Sequence, residues 1–319
     1  MDFTSNSAGD DIPPLDQQSN SAILEGTISG PSTAIEDEAV QSDTASFKEK
    51  AKANGKYPLS DLPTILDSFA VVSTEAEFIE FTRGKISTLG LELMDETTLK
   101  NAFKLSEAVV QVVTKDRLKK TYSGTGTVFN LDEEVVIFTN RHVVIPKAGE
   151  SWVSIIVKVN GTSTVDVTTW ETCYHEKLDV AKIIVPKIHR TAFTNKFEFH
   201  RPHSYEMDYL PDYLKLFPTT EDAKDTGYLF IAVGHPLGLK KRVSAWAACK
   251  RVSVVDGVYT HRAPTFGGNS GSIVFAIPVG KGVHGIEQAK YISNLMGLNL
   301  KCIAGIHIAK PQTCIAMDL

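Results

Sequence analysis

The stretch Thr265-Phe266-Gly267-Gly268-Asn269-Ser270-Gly271-Ser272 sets a serine among glycines just before an apolar run, Ile273-Val274-Phe275. Glycine on both sides permits a tight turn that exposes the hydroxyl and lets backbone N–H groups point to one spot beside it, as acyl transfer requires. The same residues also suit a plain hairpin with a polar tip. In Val136-Ile137-Phe138-Thr139-Asn140-Arg141-His142-Val143-Val144, a histidine follows a buried strand directly. In Leu178-Asp179-Val180-Ala181-Lys182-Ile183-Ile184-Val185, one acid opens another. Singly, the histidine reads as structural and the acid as a turn residue. Jointly, the order His142, Asp179, Ser270, each at a strand border, supplies a base, a group to orient it and a nucleophile.

Three such residues must be brought together by rigid elements. From Ala108 onward, short β-branched runs alternate with Gly, Asn, Asp and Pro: Val109 to Thr114, Gly126 to Phe129, Val135 to Thr139, Val153 to Val159, Val180 to Val185, Leu229 to Val233, Val243 to Ala248, Ile273 to Ile277 and Ile303 to Ile308. Their even spacing predicts an all-β barrel or sandwich. Between His189 and Asp225 the rhythm fails amid Pro202, Pro211 and Pro218, which predicts a long connection between two β halves. Upstream, Leu62, Ile65, Leu66 and Phe69, then Phe78, Ile79 and Phe81 after a Thr74 start, predict two or three short helices.

The chain of 319 residues carries a net charge of −5, unevenly distributed. Residues 1–47 hold nine acids and neither Lys nor Arg, so the remainder is net basic. That first stretch is rich in Ser, Thr, Asp and Gln and poor in large apolar residues, so it reads as a disordered acidic tail. With 42% hydrophobic and 22% charged residues the rest is globular. The sequence offers neither a run of about 18 apolar residues nor a secretory leader at Met1-Asp2-Phe3-Thr4, so a membrane partner is disfavoured and an intracellular, cytoplasmic location is expected. Cys173, Cys249, Cys302 and Cys314 lack C-x-x-C spacing, so free thiols are expected and a zinc site is not, with a Cys302–Cys314 bridge open in an oxidising compartment.

The segment Thr139 to Val144, the Asp179 strand and Gly267-Gly268-Asn269-Ser270-Gly271-Ser272 together resemble the three motifs of chymotrypsin-like serine proteases, in that family's chain order. The nucleophile turn is similar both to the Gly-Asn-Ser-Gly-Ser of bacterial glutamyl endopeptidases and to the Thr-x-x-Gly-x-Ser-Gly of viral serine proteases. The resemblance spans Ala108 to the C-terminus and implies a mainly β fold of two antiparallel six-stranded barrels, here preceded by a short helical segment and the acidic tail. The expected division is tail 1–47, helical extension 48–107, first barrel 108–188, connection 189–226 and second barrel 227–319. It further implies a serine endopeptidase in which His142 is the base, Asp179 orients it and Ser270 attacks, with the Gly268 and Ser270 amides as oxyanion hole. Peptide or protein is the implied substrate, with no metal, organic cofactor or nucleic acid.

Two departures carry meaning. Many secreted relatives keep an Asp just before the nucleophile to pair with a freshly cut N-terminal amine, whereas this chain has Asn269, so activation by such cleavage is not expected. Pro264 stands where trypsin-like enzymes keep the Asp that selects Lys or Arg. Thr265 and His307, the latter in a Gly-Ile-His segment similar to the pocket strand of glutamyl endopeptidases, imply cleavage after Glu, then Gln. An idle peptide-binding module of the same fold and a heat-shock-type quality-control protease are the competing readings. His235, His261 and His284 read as surface or loop histidines, His261 being also a candidate to back His307, and Lys240-Lys241-Arg242 reads as a solvated turn. A Met1 start and a Leu319 end, without the Glu or Gln terminus of a self-excised segment, suggest a free-standing gene product.

Overall fold

The computed structural model describes residues 33–319 except 94–95, 132–133, 147–150, 160, 162, 175–178, 194–196, 200–225, 249–253, 256–257, 261–262, 281–302, 309–312 and 318–319. The chain divides into two compact units, Met1–Val40 and Gln41–Leu319. Helix α1 (Thr33–Asn54) straddles the division, and everything below concerns the second unit.

Helix α1 takes up residues 33–47 of the stretch expected to be a disordered tail. Average composition concealed a stripe: Asp43, Phe47 and Ala51 recur every four residues and so share one helix face. Phe47 and Ala51 are buried with Leu62 and Phe266. Asp43 pairs with Arg242, whose guanidinium lies 4.2 Å from the centre of the Phe47 ring. Arg242 is 4% exposed, so the expectation of a solvated basic turn at 240–242 also fails. Its neighbour Lys241 donates to the Ser106 carbonyl (2.9 Å), and burial pulls its pKa down.

The extension continues with α2 (Leu62–Leu66), β1 (Phe69–Ala70), α3 (Glu75–Thr88), β2 (Glu92–Leu93) and α4 (Glu96–Glu107). The anticipated start at Thr74 is a full capping box, in which Thr74 Oγ1 accepts from the Glu77 amide and Glu77 accepts in return from the Thr74 amide. Phe78 of α3 and Phe103 of α4 meet with ring centres 5.9 Å apart.

The first sheet contains β3 (Val109–Asp116), β4 (Thr121–Leu131), β5 (Glu134–Thr139), β6 (Trp152–Val159), β7 (Ser163–Asp166), β8 (Thr172–Tyr174), β9 (Ala181–Ile184) and β10 (Phe197–Phe199). Its order is β7-β6-β3-β4-β5-β9-β8, antiparallel throughout, with β10 running parallel to β4. Alternate residues serve two cores. Val110, Val112, Val128 and Ile137 pack inside this sheet. Val109, Phe129 and Val136 pack against α3, α4 and the second sheet. Burial on both faces explains why these strands read as continuous apolar runs rather than as alternation.

The second sheet contains β11 (Thr226–Gly234), β12 (Arg242–Ala248), β13 (Val254–Val255), β14 (Val258–Thr260), β15 (Ile273–Gly280), β16 (Ile303–Ile308) and β17 (Thr313–Met317). Its order is β1-β12-β11-β15-β16-β17-β14-β13, with β2 added against β15. Every strand anticipated from the sequence is present. Among the described residues the two ladders have eight and nine strands, where six per barrel were expected. Two of the nine strands of the second sheet come from the helical extension, whose β1 and β2 pair with β12 and β15. No helix among the described residues is long and apolar enough to cross a membrane.

Candidate active site

Strand β5 ends at Thr139, and the chain turns at extended Asn140 into the short helix α5 (Arg141–Val144). Thr139 pairs with Ala181 of β9, so antiparallel register carries residue 179 to the level of residue 141. The contacts follow from that register. Asp179 Oδ2 lies 2.6 Å from His142 Nδ1, and Asp179 Oδ1 accepts the His142 amide at 3.0 Å. Asn140 Nδ2 donates to the Asp179 carbonyl at 2.7 Å, fixing the acid's own backbone. A carboxylate at Nδ1 selects the tautomer with its proton there and leaves Nε2 as acceptor. The His142 side chain is 47% exposed and that of Asp179 29%, so the imidazole faces solvent at the domain surface.

The turn that carries Ser270 is shaped by two left-handed glycines, Gly268 (φ +95°) and Gly271 (φ +87°). A Cβ on Gly268 would stand 2.4 Å from the His235 carbonyl, and one on Gly271 2.0 Å from the Thr125 carbonyl. Within the turn, the Asn269 amide donates to Phe266 O (3.1 Å) and the Ser272 amide to Asn269 O (2.8 Å). Leu237 N–H donates to Gly267 O at 2.5 Å. In a trans peptide the N–H points opposite to the C=O. Engaging the Gly267 and Asn269 carbonyls therefore turns the amides of Gly268 and Ser270 away from those contacts.

Thr125 of β4 stitches this turn to the first sheet. Its amide donates to Ser270 O (2.8 Å), and its hydroxyl donates to Gly268 O (2.7 Å) while accepting from the His235 amide (2.9 Å). Next to it, a Cβ on Gly124 would meet Val143 of α5 at 2.7 Å and Ser270 O at 3.3 Å. The strand thus touches both the helix that bears His142 and the turn that bears Ser270. Ser270 is 8% exposed and Asn269 1%, with Asn269 Oδ1 lacking a hydrogen-bond partner among the described residues.

The substrate-pocket expectation divides. Thr265 is fully buried. Its carbonyl accepts from Lys56 Nζ (2.7 Å) and from the Tyr57 hydroxyl (3.0 Å), its amide donates to Tyr57 (3.1 Å), and its hydroxyl accepts from Lys56 (2.9 Å). His307 lies on β16, next to Ile306, whose partner Ile273 is three residues past Ser270; its side chain falls outside the described residues, as do His261 and His284. Cys302 is also outside them, so the Cys302–Cys314 question stays where the sequence left it, while Cys173 is a free thiol.

His235 is not a surface histidine. It is 7% exposed, its Nδ1 lies 3.0 Å from Leu239 O, and burial pushes its pKa down to about 4. The loop it opens runs through Leu237 and Gly238 in left-handed conformations, with Gln111 Nε2 donating to Gly238 O at 3.0 Å. Leu237 and Leu239 pack with Phe266, whose ring also lies 5.8 Å from Phe47, 5.3 Å from Tyr57 and 5.6 Å from Phe69. Sequence reasoning missed Thr125, Lys56, Tyr57 and the Asp43–Arg242 pair. Only the last left a trace, an arginine opening a strand that is otherwise apolar and small, Val243 to Ala248. Among the described residues, no group of three or more His, Cys, Asp or Glu side chains is placed to hold a metal ion.

Residues 124–283 match the family described as Trypsin-like peptidase domain. No curated protein matches the sequence. Among solved structures, the chain is similar to the HtrA-type protease AlgW with tripeptide at 13% identity and a TM-score of 0.41, covering 68% of this chain and 58% of that one. The serine endoprotease from Yersinia pestis is 16% identical with a TM-score of 0.39, over 68% of this chain and 61% of that one. This chain therefore spans less than two thirds of the length of either. The Rv3671c protease from M. tuberculosis, in its active form, is 18% identical with a TM-score of 0.37, covering 71% and 82%.

Proposed function

The chain belongs to the trypsin-like peptidase family, and from that premise we propose that it is a serine endopeptidase working through His142, Asp179 and Ser270. The observation that carries the reading is the two-point grip of Asp179 on His142, at Nδ1 and at the backbone amide. That grip leaves His142 Nε2 as the base. In this reading Nε2 takes the Ser270 proton as Oγ attacks the peptide carbonyl, and then delivers it to the leaving amine. Asp179 stabilises the imidazolium formed in between and stays ionised itself. The amides of Gly268 and Ser270 receive the oxyanion, a contribution of about 3–4 kcal/mol per donor where such a donor has been removed from a serine protease of another fold. Support for that assignment is the engagement of the Gly267 and Asn269 carbonyls on the opposite side of the same peptide planes.

The preferred substrate is a peptide with Glu, then Gln, on the acyl side of the cut bond, as in the glutamyl endopeptidases and viral enzymes that the turn resembles. Thr265 and His307 are the residues assigned to that pocket. The chain's own division into an extension (48–107), two β halves (108–188 and 227–319) and a connection between them (189–226) belongs to the same proposal.

A fluorophosphonate probe tests it. Labelling of the wild type and loss of labelling in Ser270→Ala is the expected result. A folded wild-type protein that does not label would instead be an idle peptide-binding module of the same fold.

A further inference from the structure

We propose that Lys56 is the specificity-determining cation of the substrate pocket and selects an ionised carboxylate side chain over its amide. The inference rests on the endopeptidase reading above and sharpens it from Glu and Gln to Glu.

Thr265 alone discriminates poorly. A hydroxyl is a donor that a glutamine side-chain oxygen satisfies about as well as a carboxylate does. Beside Thr265 the structure holds a charge. Lys56 Nζ lies 2.9 Å from Thr265 Oγ1 and 2.7 Å from Thr265 O, five residues before Ser270. Thr265 is fully buried and Lys56 is an exposed residue, and on this proposal the side chain that lodges against Thr265 interacts with the Lys56 ammonium. Thr265 acts by positioning the lysine.

The lysine is also held from its own backbone. The adjacent Tyr57 hydroxyl bridges the amide and carbonyl of Thr265, and its ring packs 5.3 Å from Phe266. Residues 56 and 57 are thereby fastened to the segment that ends in the nucleophile, although they lie more than 200 residues upstream. A cation fixed in this way interacts with a carboxylate through charge as well as hydrogen bonding, and an amide gains only the second.

The test compares matched peptides with Glu, Gln, Ala or Lys before the cut bond, using the full chain. The wild type should favour Glu over Gln by roughly 10- to 100-fold in kcat/KM. Lys56→Met should bring that ratio close to one, Lys56→Arg should retain it, and Lys56→Glu should favour the Lys peptide over the Glu peptide. A Glu to Gln ratio that survives in Lys56→Met overturns the role of Lys56 and leaves the endopeptidase reading intact. A wild type that labels with fluorophosphonate but shows no preference for Glu overturns it as well. If the wild type cuts none of the peptides, affinities settle the matter: fluorescence anisotropy with labelled Glu and Gln peptides on the Ser270→Ala chain should show a preference for Glu that Lys56→Met removes. Equal affinities overturn the proposal.

Discussion

The two halves of the candidate site are built over very different spans of chain. His142 and Asp179 are 37 residues apart, and the contacts that fix them come from β5, β9 and the turns at their ends. The Ser270 turn is held by Thr125 from the first sheet, by the His235–Leu239 loop and by an N-terminal extension whose contacts with it cross 208 and 209 residues. One half is local and partly exposed. The other is a buried junction of three distant segments. Damage to the first should therefore remove chemistry and spare the fold, and damage to the second should do the reverse.

The sharpest way to break this comparison is Asp179→Asn. The amide preserves shape but favours the wrong imidazole tautomer, so kcat should fall by about 10⁴-fold, as in related triads. Calorimetry should show a thermal midpoint close to that of the wild type, and a large drop would contradict the independence of this half. Next in size is Arg242→Met. It leaves the Asp43 carboxylate, 10% exposed, without its partner and removes the cation over Phe47. Loss of one member of a buried pair costs about 3–5 kcal/mol, readable by urea unfolding. The 2.6 Å contact between His142 and Asp179 should meanwhile persist, read as an unchanged imidazole proton resonance under native conditions.

His235 supplies the third effect. Its folded pKa of about 4 lies below the unfolded value near 6.5, so its contribution is complete above pH 6.5 and is lost as the pH falls towards 4. The loss approaches about 3 kcal/mol. His235→Asn, which keeps a donor for Leu239 O, should flatten that acid limb in unfolding experiments at pH 7 and pH 4.5. An unchanged limb would assign it to other groups. The smallest effect belongs to Tyr57→Phe, which keeps the ring against Phe266 and removes the bridge across Thr265. About 1 kcal/mol is expected, together with faster exchange of the Thr265 amide.

The same contrast explains what could be read from the sequence. Strands whose two faces are both buried leave unbroken apolar runs, and glycines required at positive φ leave a Gly-x-x-Gly spacing, so β3 to β5, β11, β15 and the turn around Ser270 were legible. His142 and Asp179 were legible as strand-border residues because antiparallel register does the rest. Phe47 was not, since three residues on one helix face disappear within a polar average. Lys56 and Tyr57 carried no periodic signal at all, because their partners lie more than 200 residues away and only the fold joins them. His235 looked like a loop histidine because sequence shows turn chemistry but not depth. The extra strands β1 and β2 were missed for another reason: two residues are too few to show a period of two.

The span between Tyr57 and the Ser270 turn also sets an order of events during synthesis. The extension leaves the ribosome first, and its partners Arg242 and Phe266 follow after about 200 further residues, a delay of about 10–40 s at ordinary elongation rates. During that interval Phe47, Tyr57 and Phe69 lack the ring they will surround, while β5 and β9 have already been made and can pair. His142 and Asp179 are thus brought together on a nascent chain that does not yet contain Ser270. The contacts of the extension with Thr265 form only when this early segment meets the much later one, so on the proposed function an unfinished chain emerging beside other proteins lacks a complete site.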